Sequence, residues 1–249
     1  MTATTETRQH KATGRRETKR QVLSLLARQD LAGILAEIAT FADRDLIGPL
    51  FSALCHTDAV VRWHAVSVFG RVLSRMADRD LESARVVMRR FLWSLNDESG
   101  GIGWGAPEAM AEGMFHSPAL AGEYLHMLVS YMREDGPEAF QDGNFIELPM
   151  LQRGVLWGVG RLIPRYRQAL AEMAIEADLR CYLRSPDGDV RGLACRCLEL
   201  LGAACAAGEV ADLVRDEHPL RIYSEGGWLT CTVAAIARRL QQGRAPEQA

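Results

Sequence analysis

Apolar residues recur at three- and four-residue spacing along most of the chain after residue 18. One example puts eight apolar side chains on a single helix face: Val22, Leu23, Leu25, Leu26, Leu31, Ile34, Leu35 and Ile38. Such spacing is typical of amphipathic helices. No segment shows the sustained alternation of a β-strand, so the pattern predicts an all-α chain.

Short clusters of Asp, Gly, Pro and Ser separate the predicted helices. They occur at residues 42–45, 56–58, 96–101, 117–118, 134–137, 185–189 and 217–219. Each cluster combines helix-capping residues with turn residues. The spacing of these breaks predicts antiparallel pairs of helices, each about 10–18 residues long.

Two of these junctions share a motif. Residues 58–62 (Asp-Ala-Val-Val-Arg) and 187–191 (Asp-Gly-Asp-Val-Arg) are each followed by a small residue three positions later and a large apolar one seven later, namely Ala65 and Phe69, and Ala194 and Leu198. We expect Asp58 and Asp189 to cap the helices that follow. A looser copy lies around Arg153, 38 residues before Arg191. A repeat near 40 residues with paired helices predicts an α-solenoid.

These residues carry a resemblance to HEAT-repeat proteins, specifically the short bacterial kind known as phycobilisome-lyase-like HEAT repeats: Asp58, Val61, Arg62, Ala65, Phe69, Gly70, Asp189, Val190, Arg191, Ala194 and Leu198. Residues 93–108 are also similar to a small bacterial HEAT family, which implies no activity. The resemblance implies a right-handed α-α superhelix of the HEAT/armadillo type, with a cap at 19–40 and five helix pairs at 43–76, 79–115, 119–163, 166–203 and 208–241. It implies an interaction scaffold, without chemistry of its own.

The repeat arginines have two possible roles. Arg62, Arg153 and Arg191 can form a structural ladder with the aspartates of the repeats, because the guanidinium fork makes bidentate pairs with carboxylates. They can instead face a ligand, because in such solenoids the second helix of each pair lines the concave surface.

Charge separates the N-terminus from the rest of the 249 residues. The first twenty residues carry a net +4, so that the whole-chain charge of −3 leaves −7 on the remainder. We predict a disordered basic tail over 1–18, a repeat domain over 19–241 and a C-terminal tail over 242–249. The net negative charge of the residues after the first twenty disfavours nucleic acid as a partner, because phosphate binding needs concentrated positive charge.

Neither a membrane segment nor an export signal is evident, because no stretch approaches the roughly 18–20 apolar residues of a membrane helix. The six cysteines lack C-x-x-C spacing, so we predict that they are reduced thiols. The sequence therefore predicts a cytoplasmic protein.

The least regular segment contains Gly100, Gly101, Gly103 and Gly105. Without a preceding strand it is not a dinucleotide fingerprint. It predicts a glycine-rich entry to a helix, with Pro107 in the first turn and a backbone that takes positive φ or allows a close approach. It is either a structural turn or a binding site. As a site, its carboxylates beside Trp104 suit a cationic or hydrogen-bond-donating group.

The sequence gives little support for a metal site or for a catalytic nucleophile. Glu108, Glu112 and His116 share one helix face, and Glu123 with His126 forms an E-x-x-H pair, but a di-iron bundle needs more such pairs. No serine lies in a nucleophile elbow and no cysteine has a triad partner. We expect no cofactor, no metal and no catalytic residue.

The sequence thus favours a non-enzymatic scaffold that binds another protein or a peptide on its concave face. Aromatic and charged residues form the expected binding set: Asn96, Asp97, Glu98, Trp104, Glu108, Arg153, Trp157, Arg191 and Trp228. Trp228 is expected at the opening of the last helix. The alternative is a HEAT-type enzyme, either bilin-lyase-like or like the HEAT-repeat DNA glycosylases, which use Trp, Asp and Arg in a basic groove.

Overall fold

A computed structural model describes residues 3–96, 103–134 and 144–243, with side chains from Gly14 onward. Within these ranges the chain forms eleven α-helices, a short 3₁₀ turn at Leu213–Arg215 and a β-hairpin. The helices are α1 Ala3–Leu26, α2 Leu31–Ile38, α3 Asp43–Leu54, α4 Ala59–Arg79, α5 Leu81–Leu95, α6 Ala106–His116, α7 Pro118–Ser130, α8 Pro149–Glu172, α9 Ile175–Tyr182, α10 Gly188–Leu201 and α11 Val233–Gln241.

The helices form two rows, as in a solenoid. The inner row runs α4, α6, α8, α10 and α11, and each member packs on the next. The helices α3, α5, α7 and α9 each pack on the inner helix that follows them, and α1 and α2 pack at the N-terminal end. Apolar side chains between the rows form one continuous core. The predicted mostly helical repeat solenoid is confirmed.

Aspartate side chains start several of these helices, as the breaks in the sequence indicate. The carboxylate of Asp58 accepts a hydrogen bond from the Val60 backbone N–H at 2.8 Å, and that of Asp187 accepts from Val190 at 3.0 Å. Asp187 rather than Asp189 is therefore the N-cap of α10. The expectation for Asp189 was wrong because the cap lies one residue before Gly188, where the helix begins.

The repeat arginines have matching geometry. Nη1 of Arg62 donates to the His56 carbonyl at 2.7 Å, and Nη1 of Arg191 donates to the Ser185 carbonyl, also six positions earlier, at 2.7 Å. Each guanidinium thus closes the turn before its own helix. Arg191 also donates to Asp216 in the next unit.

Arg153 extends the ladder, since its Nε donates to Asp187 of the following unit at 3.1 Å. The predicted Asp–Arg contacts between units are confirmed for Arg153 and Arg191. Arg62 has no carboxylate hydrogen bond among the residues that the structure describes.

Small residues let the inner helices approach closely. A Cβ added at Gly158 in α8 would stand 2.9 Å from the Ala111 Cβ in α6, closer than two carbons can pack. A Cβ added at Gly113 in α6 would stand 2.7 Å from Cδ1 of Leu73 in α4. These contacts let α4, α6 and α8 pack closely against one another.

A β-hairpin replaces part of the last predicted helix pair. Strand β1 (Pro219–Ser224) pairs antiparallel with β2 (Gly227–Thr232) through a two-residue turn in which Glu225 has φ 46° and Gly226 has φ 88°. Two positive φ angles are typical of the hairpin turns whose twist matches the strands. Trp228 therefore lies in β2, and the expectation that it opens the last helix was wrong, since α11 begins at Val233.

The hairpin spans the concave face from the last unit to the first ones. The Tyr223 ring stacks on Trp63 of α4 at a centroid distance of 4.9 Å, and the Trp157 indole N–H of α8 donates to the Tyr223 carbonyl at 3.0 Å. At the turn, a Cβ on Gly226 would stand only 3.0 Å from the Leu31 Cβ in α2. The hairpin thus connects both ends of the described solenoid.

The N-terminal segment differs from the predicted disordered tail, because α1 begins at Ala3. Residues 14–21 are mostly exposed, and Glu17 pairs with Arg20 and Gln21 along the helix. Such local pairs support a helix without an apolar stripe, so hydrophobic periodicity did not predict it. Val22 is the first buried side chain among those described.

Among the helices in the described ranges, none has both the length and the apolarity needed to cross a bilayer.

Candidate binding groove on the concave face

A groove of about 600 Å³ opens where the first turns of α4, α6, α8 and α10 converge beside the hairpin. Its apolar walls include Leu54, Val66, Met150, Leu151 and Leu193. Aromatic and charged side chains line the rest: Arg62, Trp63, Trp104, Glu108, Arg153, Trp157, Asp189, Arg221 and Trp228. This combination of apolar surface with a few polar groups is typical of a ligand site.

Three of the groove tryptophans form one packed cluster. The Trp63 ring lies 4.7 Å from Trp157 and 5.8 Å from Trp228, centroid to centroid. Trp157 is buried at 7% exposure, which fixes one side of the cluster, and Tyr223 packs on Trp228 at 5.4 Å. These contacts hold the aromatic surface in place before any ligand arrives.

Two glycines shape the entry to α6, which carries Trp104 and Glu108 into the groove. Gly103 lies so close to α5 that a Cβ would stand 2.9 Å from the Ser94 carbonyl oxygen. Gly105 has φ 72° and precedes the first helical residue, and Pro107 lies in the first turn. The predicted glycine-rich helix entry is confirmed at these two positions. Trp104 remains 38% exposed at the groove.

Glu108 is the most unusual ionisable group in the groove. Part of the residue reaches the surface, yet its Oε2 is shielded from solvent and has no hydrogen-bond partner among the described residues. Gly154 in α8 provides the space, because a Cβ there would stand 2.8 Å from that oxygen. Burial raises the pKa of Glu108 to about 7, although its own backbone N–H and the charge of Arg62 oppose the shift. Carboxyls with raised pKa values cluster at functional sites, which makes Glu108 a candidate binding residue.

The groove arginines are engaged to different degrees. Nη1 of Arg153 pairs with Asp189 at 2.9 Å, in addition to its contact with Asp187. Arg62 is held by backbone carbonyls of its own turn. Arg221 is exposed and stacks over Trp228 at 4.4 Å, with no ion pair in the described part of the chain. The groove therefore contains more positive charge than we expect from the net charge of −7 on the residues after the first twenty.

Five residues of the predicted binding set line this groove together, although they come from the turn before α6, from α6 itself, from α8 and from β2. They are Trp104, Glu108, Arg153, Trp157 and Trp228. Whether they bind a partner remains a prediction.

Arg191 and Asn96, which also belong to that set, do not line the groove. Arg191 is engaged by Asp216 and the Ser185 carbonyl. Asn96 ends α5, where its side chain hydrogen-bonds to Tyr131, whose pKa burial raises to about 12. Asp97 and Glu98 lie outside the described residues.

Sequence reasoning missed several groove residues. The position of Trp63 directly after a repeat arginine could have indicated that it lies on the same surface. Arg221 joins the groove only through the hairpin, and Gly154 matters only because α6 and α8 approach closely. Neither contact can be predicted from the local sequence pattern, because both depend on residues that are distant in sequence.

The row of acidic and histidine side chains on α6 divides between two environments. Glu108 faces the groove, whereas Glu112 is buried in an ion pair with Arg161 at 2.7 Å and pairs with His116 at 3.2 Å. Glu123 pairs with Arg85 at 2.8 Å. No group of three potential metal ligands occurs in the described residues.

The fold and the groove define a class: a helical repeat solenoid whose concave face is partly covered by its own hairpin. No family model matches the chain, and no curated protein matches it. Among solved structures, computationally designed armadillo repeat proteins for modular peptide recognition cover 90% of this chain and 98% of theirs, with 14% identity and a TM-score of 0.46.

Two further structures give similar values. A second designed armadillo repeat protein covers 90% of this chain and 98% of its own, with 14% identity and a TM-score of 0.44. An engineered protein covers 91% and 96%, with 15% identity and a TM-score of 0.43. Similarities of this strength carry no information about a ligand.

Proposed function

We propose that the protein is a non-enzymatic scaffold that binds a short peptide segment of another protein in the concave groove. The observation that carries this proposal is the convergence of four tryptophans with the Glu108 carboxyl and the exposed Arg221 in one groove. Membership of the phycobilisome-lyase-like HEAT group, the domain limits 19–241 and a cytoplasmic location belong to the same proposal.

The chemistry of the groove favours a peptide. Tryptophan and arginine are the side chains that contribute most often to binding hot spots, particularly where they are already packed before binding. Trp63 and Trp228 are half-buried and offer preformed aromatic surface, while Trp104 stands at the edge with more freedom. A volume of about 600 Å³ accommodates a short stretch of chain rather than a domain surface.

A peptide-display selection against the full chain tests the proposal. We expect enriched peptides whose affinity falls at least about 30-fold in Trp104→Ala, because loss of a hot-spot tryptophan costs about 2 kcal/mol or more. Trp93→Ala is the matched control, since Trp93 on the outer helix α5 is 82% exposed and does not line the groove.

The control should bind the enriched peptides as the wild type does. Failure to enrich any peptide, or equal affinities for wild type and Trp104→Ala, would contradict the proposed function. Far-UV circular dichroism of all three proteins confirms that the comparison is made between folded chains.

A second candidate, an enzyme of the HEAT-repeat DNA glycosylase kind, is favoured by one observation: Arg62, Arg153 and Arg221 all reach a groove that also holds tryptophans and a carboxyl. Such an enzyme would bind duplex DNA with an affinity that falls steeply with salt, and would release a base from alkylated DNA. Absence of both signals would exclude it.

A further inference from the structure

The Glu108 carboxyl is an unsatisfied group in an otherwise well-packed groove. Its Oε2 is screened from water and lacks a hydrogen-bond donor among the described residues. A buried polar atom without a partner costs free energy, typically about 1–3 kcal/mol and more when charged. A ligand that brings a donor to this oxygen would remove that cost.

Although three arginines line the groove, a positively charged donor is the best partner for this carboxyl itself, because it forms a charge-assisted hydrogen bond with the ionised form. An anion would be repelled by the carboxylate, and a lone carboxylate is a poor metal site, consistent with the absence of a three-ligand group in the described chain. Trp63 and the more exposed Trp104 line the same groove, and indole faces attract organic cations.

The nearby arginines donate no hydrogen bond to Glu108 within the described residues, although the charge of Arg62 acts on it from a distance. Nη1 of Arg62 is directed to the carbonyls of His56 and Thr57, at 2.7 and 2.9 Å. Arg153 is directed to Asp187 and Asp189. These hydrogen-bond donors are therefore engaged by other acceptors, and Oε2 is left without a donor.

We propose that the Glu108 end of the groove is a cation subsite that accepts the guanidinium or ammonium group of a basic side chain in the bound peptide. The side chain would donate to Oε2 while its charged head stacks on the tryptophans. This inference rests on the proposed peptide-binding function and adds the chemical identity of the anchoring residue.

Two kinds of probe test the subsite. Random nonapeptide libraries carry arginine, citrulline or norleucine at the fixed central position, and N-acetyl-arginine methylamide and N-acetyl-citrulline methylamide are titrated alone by tryptophan fluorescence. Citrulline keeps the shape of arginine without its charge. Each probe is measured on the wild type, on Glu108→Gln, and on Glu147→Gln, which removes an exposed carboxylate that does not line the groove.

We expect the arginine probes to bind the wild type and Glu147→Gln at least about tenfold more tightly than the citrulline probes, as a charge-assisted hydrogen bond provides. In Glu108→Gln the two should bind alike. An arginine preference that survives Glu108→Gln, or equal binding of both probes to the wild type, would overturn the subsite.

The outcomes separate this inference from the function on which it rests. Library binding without charge preference keeps the peptide scaffold and removes the cation subsite. Binding of N-acetyl-arginine methylamide that depends on Glu108, with no library binding, keeps the subsite and removes the peptide scaffold. A Glu108-dependent response to N7-methylguanosine, with none to the arginine probes, overturns the subsite in favour of the glycosylase candidate.

Discussion

The substitution Glu108→Gln should make the free protein more stable, and the gain should depend on pH. Glutamine keeps the shape of the side chain and removes its ionisation. In the wild type, burial raises the pKa of this carboxyl from the ordinary 4.5 to about 7. The folded state therefore binds more protons than the unfolded state between these two values.

The sign and size of the effect follow from proton linkage. Because the folded chain holds the extra proton, the contribution of Glu108 to wild-type stability falls as the pH rises from about 4.5 to about 7. A shift of about 2.5 pKa units corresponds to about 3 kcal/mol of unfolding free energy above pH 7. The glutamine variant lacks this loss, so its advantage should grow by about 2–3 kcal/mol between pH 5 and pH 8.

Urea unfolding followed by far-UV circular dichroism at pH 5, 6, 7 and 8 measures this difference. Other titrating groups are common to both proteins and cancel in the comparison. Glu147→Gln serves as the control, and its stability should stay within about 0.5 kcal/mol of the wild type at every pH, as for most surface substitutions. An offset between wild type and Glu108→Gln that is the same at pH 5 and pH 8 would refute the reasoning.

Two further predictions concern packing. Gly158→Ala should lower the free energy of unfolding by about 1–3 kcal/mol, because the new methyl meets Ala111, whereas Gly122→Ala, on an open face of α7, should raise it by about 0.5–1 kcal/mol. Thermal melts measure both, and shifts of the same sign would contradict the close approach of α6 and α8. Burial raises the pKa of the Cys195 and Cys197 thiols to about 12, so that they should react with a disulfide reagent only after unfolding, whereas the exposed Cys55 and Cys181 should react in the native protein. Peptide mass mapping identifies the labelled sites, and fast native labelling of Cys195 or Cys197 would show that α10 is packed differently.

The helices could be predicted because their determinants are local. Apolar spacing and the aspartate caps lie within a few residues of each helix start, and the entry to α6 shows its glycines and proline directly. The hairpin is different. Its strands are six residues each, and Tyr223 and Trp228 are stabilised by rings from α4 and α8 that are distant in sequence. Gly226 and Gly227 therefore suggested a helix start when read in isolation.

The groove also combines features that local sequence predicts with features that depend on distant contacts. Trp104 lies in the turn just before α6 and Glu108 lies in the first turn of that helix, so their proximity could be predicted from the sequence. The charge of the groove does not, because Arg221 arrives on the hairpin and the shielded Oε2 depends on the space beside Gly154. The net charge of a body constrains its average surface potential, and a concave site can depart from that average.

The hairpin that joins the last unit to α2 and α4 also changes how the chain should unfold. In an open repeat array each unit interacts only with its neighbours, so the ends fray and stability is a sum of nearest-neighbour terms. Here the Ser67 hydroxyl donates to the Tyr223 hydroxyl at 3.3 Å, across 156 residues of sequence. A contact of that range links the two ends into one cooperative unit and raises the contact order, so that the array should melt in a single transition and fold more slowly than a simple stack of helix pairs.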